Sequence, residues 1–265
     1  MFKFIKKIFN SKKKGYKYLT TYGWVKDVED ERDFIFKAPI FRKLPLAINL
    51  TTYCPEVYNQ DNIGSCTANA LGAAYQIEQI RDGKPNFIPS RLFIYYNERV
   101  LENNINKDAG ATLRSGMKTL VKDGVCPETM WAYNTSKFKK KPTPNCYVEA
   151  EKHQVLTYER LNNGLHEIKS CLADGYPVVF GFMIYESFMS QEVARTGIAK
   201  MPKDNERMIG GHAVLAVGYD DEKEALLVRN SWGSAWGQKG YFYLPYGYIT
   251  NSKLSADFWT LRTVE

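Results

Sequence analysis

Residues 228–244 read VRNSWGSAWGQKGYFYL. A β-branched, apolar run stops at Asn230, indoles follow at Trp232 and Trp236, and a second strand-like run begins at Gly240. The pattern predicts two strands separated by turn residues. A side-chain amide at such a strand end can accept the N–H of an imidazole and fix the ring's orientation and tautomer. An indole laid over that contact would keep water from it.

Only three histidines can supply the imidazole: His153, His166 and His212. The first two read as ordinary surface or interlobe residues. His212 stands in IGGHAVLAVGYD, at the entrance to an apolar strand and behind two glycines that let a neighbour approach closely. A base held this way serves a nucleophile. In NQDNIGSCTANALGAAYQIEQ, Asn59 to Gln79, Cys66 follows Gly64-Ser65 and opens a helix predicted over Thr67–Arg81. The free N–H groups at a helix start favour an anion, which lowers a thiol's pKa and makes thiolate available near neutral pH. Gln60 offers side-chain N–H donors that, with the Cys66 amide, can hold a developing oxyanion. Taken alone, Cys66 is a buried thiol, Asn230 a turn residue, and Trp232 and Trp236 core aromatics. Their joint appearance in order carries the catalytic reading. No CxxC pair occurs among the five cysteines, so neither a structural zinc nor a cofactor is called for. The pairing of Cys54, Cys126, Cys146 and Cys171 stays open.

Gln60-x5-Cys66, His212 in GGHAV and Asn230 in NSWGSAWGQKGYF, in that chain order, resemble the papain family of cysteine peptidases over about Leu44–Arg262. More narrowly, GSCTANA, PSRLFIYYNER and GYPVVFGFMIYESF resemble a subgroup found in bacteria, archaea and large DNA viruses. That likeness extends upstream to YGWVKDVEDERDF. The resemblance implies a cathepsin-like thiol protease of α+β class with two lobes. The first is helical, the second β-barrel-like, and the active-site cleft lies between them. It implies that Cys66 attacks the scissile carbonyl and that His212 protonates the leaving amine and then activates water. Asn230 would orient His212, Trp232 would shield that bond, and Gln60 would hold the oxyanion. Gly64, Ser65, Gly110, Gly211 and Trp232 would line the substrate cleft of an endopeptidase acting on polypeptides. Three positions depart from the family's habit. Ile63 stands where a second cysteine is common, Thr67 where a tryptophan is common, and Ala109-Gly110-Ala111 in place of a glycine pair.

Outward from these motifs the chain divides into a leader, 1–43, a helical lobe, 44–150, and a β-rich lobe, 151–265. The formal charge of +7 resides in residues 1–17, which hold seven lysines and no acid. The remainder is balanced, which speaks against nucleic-acid binding by the folded body. No 18-residue apolar run is present, so no spanning helix is expected. Lysines break the amphipathic segment Phe2–Phe9, so it is a poor secretory signal. It reads either as a solvated leader or as a weak contact with an anionic membrane surface. Residues 22–41 are expected to lie across the cleft as a short inhibitory prosegment, cleaved near Arg42 or Lys43, in a monomeric zymogen. Two alternative readings are a Cys-dependent acyltransferase of Cys-His-Asp type and a catalytically silent peptide-binding protein.

Overall fold

The computed structural model describes residues 22–39 and 43–264. The amphipathic segment of residues 1–17 and Arg42 lie outside the described residues. The first strands among the described residues are two short ones, β1 (Trp24–Val25) and β2 (Ala47–Asn49). Helix α1 (Cys66–Arg81) follows. Ala68, Ala70, Ala73 and Ala74 let neighbours approach from every side, and the helix is buried almost all round. That is the signature of a central helix, not of a surface one. Helix α2 (Arg91–Leu101) is capped by Ser90, whose hydroxyl accepts the Phe93 N–H at 3.2 Å. Ala111 and Thr112 form β3, which pairs in parallel with β1, and α3 (Leu113–Lys122) follows directly. Helix α4 (Pro144–Ala150) comes next. Pro144 sits in its first turn, where the missing N–H costs nothing.

Then come β4 (Val155–Leu161), α5 (Leu165–Ala173), β5 (Val178–Tyr185), α6 (Gln191–Thr196), β6 (Met208–Asp220), β7 (Ala225–Arg229), β8 (Tyr241–Pro245), α7 (Tyr246–Ile249) and β9 (Ser255–Val264). One antiparallel sheet runs in the order β4-β9-β5-β6-β7-β8, with β2 paired to the end of β6. The class is α+β as expected, but the sheet stays open and does not close into a barrel. Helix α1 lies against this sheet, and a single apolar core joins them. No helix among the described residues is long and apolar enough to cross a membrane.

The leader is part of the folded body. Phe36 donates its N–H to the Arg160 carbonyl at 2.8 Å and Arg160 donates to Phe34 at 2.7 Å, so residues 34–36 extend the sheet along β4. Trp24, Asp27 and Phe36 are buried.

Candidate active site

Cys66 is the first residue of α1 and is fully buried. Its sulfur accepts the backbone N–H of Ala213, the residue after His212, at 3.4 Å. The expected strand around His212 is β6, and the β5 register places Phe182 opposite the histidine. The Asn230 Oδ1 lies 2.9 Å from His212 Nε2 and also accepts the Ser231 N–H at 2.8 Å. Because that backbone donor fixes which end of the amide is oxygen, Nε2 carries the hydrogen and Nδ1 of the neutral ring is the acceptor. Nδ1 has no hydrogen-bond partner among the described residues. Trp232 stacks on the imidazole with ring centres 5.0 Å apart and planes 26° from parallel.

Gln60 comes to the same place by strand-like pairing between the lobes. Its N–H donates to the Ser231 carbonyl at 2.8 Å, Asn59 bridges Trp232, and the Gly233 N–H donates to Tyr58 at 3.0 Å. The Gln60 amide is then oriented at both ends. Ser231 Oγ donates to Oε1 at 2.6 Å, and Nε2 donates to the Ile63 carbonyl at 3.1 Å. Tyr133 donates to the Gln60 carbonyl at 2.8 Å and lies 2.6 Å from the Ser65 hydroxyl. Gly64 donates to Asp108 at 2.9 Å, and Tyr95 donates to the same carboxylate oxygen at 2.5 Å. Sequence reasoning missed Ser231, Tyr133, Asp108 and Tyr95. Only Ser231 carried a signal, inside the NSWG block. Thr67 donates to Glu98 at 2.8 Å, and burial pushes that enclosed carboxyl well above its usual range.

Leader residues 22–24 run through this cleft. The Ala111 N–H donates to the Gly23 carbonyl at 2.8 Å. Gly23 packs so closely on Gly64 that an added Cβ would stand 1.8 Å from the Gly64 carbonyl oxygen. Gly110, at φ +78°, presses on the Gly23 carbonyl in turn. Of the expected cleft residues, Gly64, Gly110 and Gly211 therefore meet the leader, Trp232 covers His212, and Ser65 is turned toward Tyr133 and Asn69. Covering the thiol reverses its expected electrostatics. Burial pushes Cys66 up to about 12, although the amides of Ala213, Gly23 and Thr67 favour thiolate. Burial also pushes His212 down to about 4, against the Asn230 bond. Both shifts favour the neutral forms of the two groups. His153 contacts Glu149 and His166 contacts the Pro39 carbonyl, remote from this chemistry. All five cysteines are free thiols.

The papain family cysteine protease model matches residues 47–258. A peptidase C1-like protein of Acanthamoeba polyphaga mimivirus is 41% identical over 270 residues, covering 92% of this chain and 87% of that protein. Xylellain, a cysteine protease from Xylella fastidiosa, superposes with a TM-score of 0.87 at 44% identity, covering 92% of this chain and 96% of that one. The fold alone is shared with procathepsin B of Trypanosoma congolense, with a TM-score of 0.76 at 16% identity over 97% of this chain and 92% of that one.

Proposed function

The chain belongs to the papain family of cysteine proteases, and on that premise we propose that Cys66, His212, Asn230 and Gln60 carry its peptide-bond hydrolysis. The Cys66 thiol gives its proton to His212 Nδ1, the nitrogen left open by the Asn230 bond. The thiolate attacks the scissile carbonyl. The Cys66 amide and the Gln60 side chain stabilise the oxyanion, which raises the rate because they act where charge develops. Protonated His212 then delivers its proton to the leaving amine, and the neutral ring activates water to release the acyl group. Asn230 positions the imidazole and Trp232 shields it. The observation that carries this assignment is the unpaired Nδ1 on a histidine whose neighbouring amide touches the Cys66 sulfur. A carboxylate orienting the base, which the acyltransferase reading needs, is replaced here by Asn230.

The same geometry supports an intramolecular prosegment. Residues 22–24 run through the cleft and the burial around Cys66 and His212 favours the neutral thiol and imidazole, so the described chain is read as the resting form. Polypeptide substrates would enter where Gly23 and Trp24 now lie. Digestion of a peptide library by the full-length protein and its Cys66→Ala variant tests the assignment, together with labelling by an epoxide thiol trap. Cleavage and a single adduct on Cys66 are expected from the parent chain, and neither from the variant. Undiminished cleavage by Cys66→Ala would discard it.

A further inference from the structure

The leader shows which side chain the cleft is built to take. Trp24 follows the residue that packs on Gly64, and its indole enters a pocket walled by Gly181 on β5 and Gly211 on β6. A Cβ added at Gly181 would stand 1.9 Å from indole Cε2, and one at Gly211 would stand 2.8 Å from Cε3. Only bare backbone leaves room for a flat bicyclic ring there. The pocket ends on the Asp257 carboxylate, whose side chain is fully enclosed. Asp257 accepts the Trp24 Nε1–H at 3.1 Å and the Asp27 N–H at 2.7 Å, with Arg160 Nη2 3.4 Å away. The residue sits at φ +58°, a backbone conformation that a non-glycine residue adopts only when its surroundings hold it.

When the leader departs, both N–H donors leave with it, and so do the carboxylates of Asp27 and Asp33. Asp257 then keeps the Arg160 guanidinium, 3.4 Å away, as its ion-pair partner. A cationic side chain entering the pocket would have to compete with Arg160 for that one carboxylate. A phenyl ring would cover the carboxylate without giving it a hydrogen. An indole fills the glycine-walled space and restores the lost donor. We propose that Gly181, Gly211 and Asp257 make this pocket of the active peptidase select tryptophan within two residues of the scissile bond. The proposal rests on the cysteine-peptidase reading of the cleft.

The test is digestion of a peptide library, followed by kinetics on three fluorogenic peptides that differ only in Trp, Phe or Arg at the selected position. Both the full-length chain and its Gly23→Ala variant are used, since a methyl at Gly23 collides with the Gly64 carbonyl and frees the cleft. A site that hydrogen-bonds its substrate discriminates strongly against an analogue lacking the donor, so kcat/KM should be at least about tenfold higher for Trp than for Phe. The Arg peptide should be no better than Phe. Asp257→Leu should level Trp with Phe. Gly181→Ala, a milder change to the fold, should turn the preference toward leucine-sized side chains. Thiol-dependent cleavage with Trp no better than Phe, or with Arg preferred, would overturn the proposal and leave the peptidase reading standing. Failure of every peptide to be cleaved, with Cys66 refusing the epoxide trap in the Gly23→Ala chain, would remove both.

Discussion

At the scale of single residues, the sequence discloses groups that sit in distinctive local context and hides those defined by distant partners. Cys66, His212 and Asn230 each stand beside glycines, a helix start or a strand end that the sequence displays, and Gln60 is marked by its spacing from Cys66. Asp257 could not be found this way, because its contacts to Trp24 and Asp27 span 233 and 230 residues. Nor could burial of the thiol, since the helix start argues for thiolate while the covering leader pushes Cys66 up to about 12. Ser231 shows what such hidden residues do. Its hydroxyl donates to Gln60 Oε1 at 2.6 Å and so aims the amide nitrogen away from itself. Gln60→Ala removes an oxyanion donor and should lower kcat by about 10²–10³-fold. Ser231→Ala leaves the donor present but loosely aimed, and should cost about tenfold, mainly in kcat. Active-site titration followed by steady-state kinetics on one peptide checks both. A Ser231→Ala enzyme with parental kcat would show that Gln60 is held without it.

At the scale of elements, the sequence shows those whose pattern is set locally. Helices α1 and α2 and strands β5 to β9 appear where small-residue, capping or β-branched runs place them. Strand β4 escapes because VLTYERL mixes charged and apolar residues, as suits a strand whose second edge is met only by the leader. The pairing of β1 with β3 escapes because each has two residues and neither carries a strand pattern of its own. Capping is where element and stability meet most directly. Ser90 accepts the Phe93 N–H at 3.2 Å and donates to the Trp131 carbonyl at 2.7 Å, both in buried surroundings. Ser90→Ala loses the cap and strands a buried carbonyl, so unfolding free energy should fall by about 1–3 kcal/mol. Urea denaturation followed by tryptophan fluorescence reads this. A change below about 0.5 kcal/mol, the range of ordinary surface substitutions, would mean that neither bond matters in solution.

At the scale of the whole molecule, the leader joins elements that the chain order keeps apart. Gly23 lies on the front of the cleft, Trp24 among β5 and β6, Asp27 between α3 and β9, and residues 34–36 along β4. Opening the enzyme therefore means undoing several contacts together, and Gly23→Ala, which cannot seat the first of them, should be more active at once. The charged part of the contact gives this event a pH dependence. Asp27 accepts from Trp259 Nε1 at 2.8 Å and the Arg114 N–H at 3.1 Å, and it faces Asp257, with Arg114, Arg160 and Asp33 close by. Burial, and then the Asp257 charge, push its carboxyl up to about 6 from 3.8, and burial raises Asp257 as well. A group with a raised pKa when docked binds its proton more tightly there than when free. Docking thus gains as pH falls from about 6 toward 4, and that help is gone above 6. A shift of two units limits the effect to about a hundredfold in the docking equilibrium. The activity of the full-length chain divided by that of Gly23→Ala, a ratio that cancels the pH dependence of catalysis itself, should rise between pH 5 and pH 7. Asp27→Asn keeps the acceptor for Trp259 but cannot ionise, so it should hold the leader at pH 7 as the parent does at pH 5, and its ratio should be flat. A parental ratio that is level across this range, or that climbs toward acid, would show that the Asp27–Asp257 contact does not govern release of the leader.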